Sequence, residues 1–247
     1  MRKALSLLVI LVFCYTAYSQ GPGNDSLRNH FQRTYLQALK YNDFNVAINS
    51  MQNIIAETPA IQGMPLKDTL SMLYFATKAY YPALILAEEV NKANPSNINA
   101  LARAGECYQN LGDSKKAVAA YETVSPILKN PYYYYQLAVC QYDLKRVAES
   151  EANIKRVMAD TNSNHIAVNF TLQNGADQQV PASAAVLNLA AVMQMENKHF
   201  DQAKLLLQNA LKLYPDFIGA QQNLQVVENN MKAVKQSGTK LPPKTKG

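Results

Sequence analysis

A small residue recurs along this chain at a nearly constant interval, with Ala47, Ala83, Ala117, Ser150 and Ala203 standing 36, 34, 33 and 53 residues apart. The last interval is one period plus an insertion of 19 residues. A repeat of this length marks a stacked array and decides the architecture before any local propensity does. Four and seven residues after each small residue stand Met51 and Ile54, Ala87 and Val90, Tyr121 and Val124, Ile154 and Val157, and Leu207 and Ala210. All are apolar or aromatic, and the spacing is that of one helix face. Pro59, Pro95 and Pro215 follow at a common offset. They end that helix, because proline disfavours helical backbone in the residue before it. Where two helices cross closely, only a small side chain lets the backbones approach, and mostly larger residues one or two turns away fill the flanks. One helix pair cannot bury its own apolar face, so neighbouring pairs must stack.

The clearest copy of the unit reads Ala104-Gly105-Glu106-Cys107-Tyr108, then Leu111-Gly112-Asp113, then Ala117, Tyr121 and Val124. This pattern resembles the tetratricopeptide repeat. The resemblance implies an all-α fold: a TPR-type α-solenoid of about five helix hairpins and a C-terminal capping helix, with a small β-hairpin-like insertion between the fourth and fifth repeats. Hairpins are expected over 28–63, 64–97, 98–130, 131–164 and 184–215, with the insertion at 165–183 and the cap at 216–235. In the cap, Leu224, Val227 and Met231 cover the open end while Gln221, Gln222, Asn229 and Asn230 stay wet. Departures from the family pattern are the missing Trp, small Ala87 in the second unit, Ser150 in the fourth, and Lys129 and Asn162 where proline would stand. In the insertion, Ile166 to Thr171 alternates loosely before Asn174-Gly175, a pair suited to a tight turn, and Gln178 to Pro181 could return as the second strand. An isolated hairpin is marginal in water, so it is expected to lean on the adjoining repeats as a packing spacer, the alternative being a contact loop that leans on a partner.

The ends read differently from the body. Arg2 and Lys3, the apolar stretch Leu5 to Phe13 and then Ala17-Tyr18-Ser19 follow the order of a secretory signal, so 1–19 is expected to be removed on export. The stretch is shorter than the roughly 20 apolar residues of a membrane-spanning helix. A lipid-anchored alternative would use Cys14, but bulky Phe13 stands where such signals carry a small residue. The expected product is soluble, periplasmic or extracellular, with a flexible start at 20–27 and a disordered basic tail at 236–247. The net charge of +6 falls to about +4 without Arg2 and Lys3. Lys232, Lys235, Lys240, Lys244 and Lys246 carry the rest of the excess, so the body is near neutral and no nucleic-acid face is indicated.

Catalysis and metal binding have no footing in the sequence. His30, His165 and His199 stand far apart, no glycine loop could cradle a phosphate, and no cofactor is implied. Cys107 and Cys140 occupy equivalent points of neighbouring repeats, about 10 Å apart in a stack, too far for a disulfide. Two sequons, Asn24-Asp25-Ser26 and Asn169-Phe170-Thr171, matter only where the secreting cell glycosylates asparagine.

Helical arithmetic divides the first helix of the fourth unit into two stripes. Tyr134, Leu137, Ala138 and Gln141 point toward the partner helix, while Tyr132, Tyr135, Val139 and Tyr142 form a second stripe. In arrays that this chain resembles, the second stripe lines the concave side. The corresponding residues elsewhere are Leu36 and Leu39, Met72 and Phe75, Glu106 and Gln109, then Val192 and Met195. Lys40, Asp68, Asn110, Asp143, Asn188 and Glu196 are placed along the rim. Such a surface suits a peptide or partner segment, unless the superhelix or the capping helix closes over part of it. The sequence thus carries three function classes: a groove that binds a protein partner, a scaffold subunit joined through its edges and insertion, and an enzyme, for which it shows no chemistry.

Overall fold

The structure is a computed structural model that describes residues 23–172 and 175–238. The export signal, Asn174 of the expected turn and the tail beyond residue 238 lie outside the described residues. Among the described residues the fold is all-α apart from one two-stranded sheet, and it falls into two compact units that meet in sequence between Gly112 and Asp113.

The first unit contains α1 (Gly23–Lys40), α2 (Phe44–Ala56), a short 3-10 turn (Ala60–Gln62), α3 (Met64–Ala76), α4 (Tyr80–Ala93) and α5 (Ile98–Asn110). The second contains α6 (Ser114–Leu128), α7 (Pro131–Asp143), α8 (Val147–Ala159), a 3-10 turn (Thr161–Asn164), β1 (Ala167–Thr171), β2 (Asp177–Pro181), α9 (Ala182–Glu196), α10 (Phe200–Leu213) and α11 (Ile218–Gly238). Helix α1 starts at Gly23, inside the stretch expected to be flexible. Helix α11 runs to Gly238, past the expected end at residue 235, since no breaker stands between Met231 and that glycine.

A left-handed residue follows each of α1, α3, α5, α7 and α9. Asn42, Lys78, Gly112, Lys145 and Lys198 all have positive φ, between 55° and 84°. Each stands five positions before the recurring small residue. After four of them, the N–H groups of Asp43, Ala79, Arg146 and His199 reach back to the carbonyls of Ala38, Tyr74, Gln141 and Gln194 at 2.9, 2.9, 2.8 and 2.9 Å. That is the six-to-one bond of a left-handed helix stop. Only Gly112 adopts this conformation without a Cβ penalty, and a Cβ placed on it would meet no atom within 4 Å. Gly112→Ala therefore changes backbone strain alone. It should lower stability by about 1 kcal/mol in urea titration; a loss several times larger would show that the position also packs.

All five small residues are fully buried. Serine serves at this contact by giving its hydroxyl to the facing helix: Ser71 Oγ donates to the Ala83 carbonyl at 2.7 Å, and Ser150 Oγ to the Ala138 carbonyl at 2.7 Å. The two bonds are mirror choices, with serine on the first helix in one unit and on the second in the other. The substitution of Ser for Ala at 150 thus keeps the close approach and leaves no orphan hydroxyl.

The β-hairpin pairs Val168 with Val180 and Phe170 with Gln178. Val168 and Val180 are buried, whereas Ala167, Asn169, Thr171, Asp177 and Gln179 are exposed, so one face of the hairpin is wet. The dry face rests on the start of α11. Phe170 and Phe217 stack edge-to-face with centroids 5.0 Å apart, and the Gln178 amide bonds the Asp216 carbonyl at 2.5 Å and the Ile218 N–H at 3.1 Å.

Cys107 and Cys140 are both free and buried. Burial, before any nearby charge, pushes each thiol up to about 12. Both stay protonated near neutral pH and out of reach. Iodoacetamide at about pH 8 should modify neither in the native protein and both after denaturation, and rapid native labelling counted by mass spectrometry would contradict their placement.

Candidate functional site

The expected binding stripe lies on α1, α3, α5, α7 and α9. Counted back from the positive-φ residue of the turn, the rows at −6 and −3 hold Leu36 and Leu39, Met72 and Phe75, Glu106 and Gln109, Val139 and Tyr142, and Val192 and Met195. None of these is buried. In the first unit, Leu36 is 58% and Met72 48% exposed, a large opening for apolar side chains. Leu39 is half-buried against the core, and Phe75 is half-buried, stacked edge-to-face on Tyr80 at 5.6 Å. Glu106 and Gln109 are half-buried and make this rung polar.

The row at −10 behaves differently. Tyr135 is only 7% and Asn188 only 4% exposed, so these two expected groove residues belong to the interior. Tyr135 joins an apolar cluster with Ala182, Ala185, Val186 and Leu189 of α9, the helix that packs beside α7. Its burial pushes the phenol up to about 12. Asn188 is covered by α11, whose Asn223 amide donates to its side-chain oxygen at 2.8 Å. The capping helix therefore closes part of the stripe. Tyr134, expected to face the paired helix, has the guanidinium of Arg156 of α8 5.5 Å from its ring centre but is only half-buried.

What stays open in the second unit is Tyr132, Val139 and Tyr142 of α7 and Val192 and Met195 of α9, all half-buried. Tyr132 is fixed edge-to-face against Tyr133 at 5.1 Å. At the far end, the Lys145 ammonium lies 5.2 Å from the Tyr142 ring centre and 3.7 Å from the Glu196 carboxylate. Tyr142's hydroxyl is sealed from water without a well-formed hydrogen bond among the described residues. Burial first, then the facing Glu196 carboxylate and Asp143, push its phenol above the ordinary range. Burial likewise raises Asp143, with Lys145 and Ser114 opposing.

The rim is less free than the sequence suggests. Asp68 receives Arg103 at 2.6 Å and the Asn97 amide at 3.2 Å, which ties α3 to α5. The Asn110 amide folds back on the Glu106 carbonyl at 2.8 Å, and Lys40 lies over the Tyr41 ring at 5.9 Å. Sequence reasoning missed a polar cluster on the second-helix side, where Asn153 donates to Gln141 at 2.7 Å with both side chains buried. Beside it Arg146 bridges Glu122, at 2.6 Å, and Glu149. Glu122 and Arg146 stand 24 residues apart, at different points of the repeat, so no periodic signal marks the pair. The surface offers apolar rungs, phenols and one tethered ion pair; no group of three potential metal ligands occurs among the described residues. No described helix is long and apolar enough to cross a membrane.

Residues 184–216 match the tetratricopeptide repeat model, and residues 76–157 match the model of anaphase-promoting complex, cyclosome, subunit 3. Both matches support the tetratricopeptide repeat family. Among solved structures, the tetratricopeptide repeat protein from Parabacteroides merdae aligns with a TM-score of 0.64 at 14% identity, over 88% of this chain and 81% of that one. YrrB, described as a TPR protein with an unusual peptide-binding site, aligns with a TM-score of 0.59 at 14% identity, over 76% and 87%. MamA AMB-1 aligns with a TM-score of 0.59 at 14% identity, over 78% and 94%. At these identities the likeness shows the tetratricopeptide fold alone. No curated protein matches the chain. The fold is thus the tetratricopeptide one expected from the repeat, with eleven helices among the described residues and the hairpin between the eighth and ninth. It is the architecture of a protein-protein interaction module.

Proposed function

We propose that this protein is a non-enzymatic binding module that holds a peptide or partner segment along the first-helix stripe, outside the cytoplasm. The observation that carries the reading is the half-open row of Tyr132, Val139, Tyr142, Val192 and Met195 on two packed helices of the second unit. Tyrosine and methionine are the side chains enriched at partner surfaces, and these five stay partly exposed. The peptide-binding site named for YrrB makes the use of such an array for a peptide a reasonable extension. A ligand whose main feature is a terminal carboxylate does not suit this row, since Lys145 is paired with Glu196. The groove is favoured over the hairpin's dry face as a contact surface, because Phe170 and Gln178 are already committed to Phe217, Asp216 and Ile218.

The test is affinity capture from the producing cell's envelope or medium, followed by titration of the captured partner. Tyr132→Ala and Tyr142→Ala should each weaken binding by about 2 kcal/mol while leaving far-UV circular dichroism unchanged. Unaltered affinity in both variants would remove the stripe from the interface. Export is proposed from the order of residues 1–19. N-terminal sequencing should find Gln20 first, and retention of the apolar stretch or acylation at Cys14 would overturn the location.

A further inference from the structure

The two edges of the small sheet are built differently, and this asymmetry leads to an interface independent of the groove. The Ala182 N–H donates to the Ile166 carbonyl at 2.8 Å, and the Leu172 N–H to the Ala176 carbonyl at 2.8 Å. These bonds bracket the ladder, whose register pairs Val168 with Val180 and Phe170 with Gln178. Even-numbered residues of β1 therefore bond to β2. By the alternation of an antiparallel pair, the N–H and C=O groups of Ala167, Asn169 and Thr171 point away from it. All three residues are exposed, and their outward backbone groups carry no hydrogen bond among the described residues.

Natural proteins guard such an edge with charge or proline. The outer edge of β2 has both, with Asp177 at one end and Pro181, which has no N–H, at the other. On β1 neither guard is present, and no charged residue occurs anywhere from Ile166 to Ala176. We propose that β1 is a pairing edge through which two copies of this chain join, antiparallel and centred on Asn169.

Several features favour a second copy as the occupant. In the centred register Asn169 faces Asn169 of the other copy, and Ala167 faces its Thr171, so every outward donor meets an outward acceptor. The uncharged strand approaches itself without like-charge repulsion. The resulting four-stranded sheet has β2 on both outer sides, where Asp177 and Pro181 stop further addition. The assembly closes at two copies instead of growing into a fibre. A five-residue strand buries far less than the roughly 1,200 Å² at which stable interfaces begin, so the pair is weak and dilution separates it.

Sedimentation equilibrium of the full mature chain, from about 1 µM to about 1 mM, tests the proposal. The mass should rise toward twice that of the monomer. Asn169→Lys places two ammonium groups opposite each other and should weaken association at least about tenfold, whereas Gln179→Lys, on the guarded edge, should associate as the wild type does. Hydrogen exchange on the wild type needs no variant: the amides of Ala167, Asn169 and Thr171 should gain protection as concentration rises. A mass independent of concentration, unchanged association of Asn169→Lys, or equal loss in Gln179→Lys overturns the proposal. So does a wild type that stays monomeric and instead takes up an extended foreign peptide at β1.

Discussion

Truncating Tyr135 to alanine is expected to destabilise the second unit by about 3–5 kcal/mol, the usual cost of deleting a buried aromatic ring. Tyr134→Ala should cost well under that, because the Tyr134 ring is half-exposed and its contact with Arg156 is worth about 1 kcal/mol at such a site. The contrast is sharp because the residues are neighbours of identical chemistry. Tyr135 stands 7% exposed in a cluster with α9. A second readout isolates the hydroxyl. The Tyr135 phenol is raised from 10.0 to about 12 by burial, so the folded state holds this proton more tightly than the unfolded chain does. Its effect is absent below the unfolded value, and stability falls as pH rises through the window between the two. Tyr135→Phe should lose that alkaline decline while keeping the packing. Equal urea midpoints for Tyr134→Ala and Tyr135→Ala would show that the two rings are equally buried.

The same pair shows where reading the sequence stops. The period of small residues leads to helix hairpins because close helix crossing tolerates only Ala, Gly or Ser, a constraint local to each pair. Ala47, Ala83, Ala117, Ser150 and Ala203 are accordingly all fully buried. Helical arithmetic also separates the rows at −6 and −3, none of whose members is buried. It fails one turn earlier, at Tyr135 and Asn188, where burial depends on how far the next first helix or the capping helix reaches over the stripe. Neither distance is a property of the segment itself. The turns show a different limit: Gly112 announces a left-handed residue, but Asn42, Lys78, Lys145 and Lys198 adopt the same conformation with ordinary side chains. There the six-to-one hydrogen bond stabilises what the residue type disfavours, and only the common offset from the small residue betrays it.

Phe217→Ala should be the most damaging change at the hairpin, again by about 3–5 kcal/mol, and its consequences should spread beyond the lost ring. Phe217 is fully buried between α10 and α11, in the turn where the Phe217 N–H bonds the Tyr214 carbonyl at 3.1 Å. Its ring is the surface on which Phe170 of β1 rests. Gly219, one residue into α11, is small for the same reason, since a Cβ there would stand 2.5 Å from the Phe170 ring. The hairpin and the capping helix therefore share one contact, reinforced by the two bonds of Gln178. A two-stranded hairpin is marginal in water on its own, so removing Phe217 withdraws most of what holds it. Hydrogen exchange of the Val168 and Val180 amides should accelerate in Phe217→Ala together with that of the first turns of α11. Phe170→Ala, which deletes a half-buried ring, should accelerate the same amides with a smaller loss of global stability. If Phe217→Ala lowers global stability but leaves the hairpin amides protected, the hairpin is held by its valines against α9, and Phe217 serves only the helix pair.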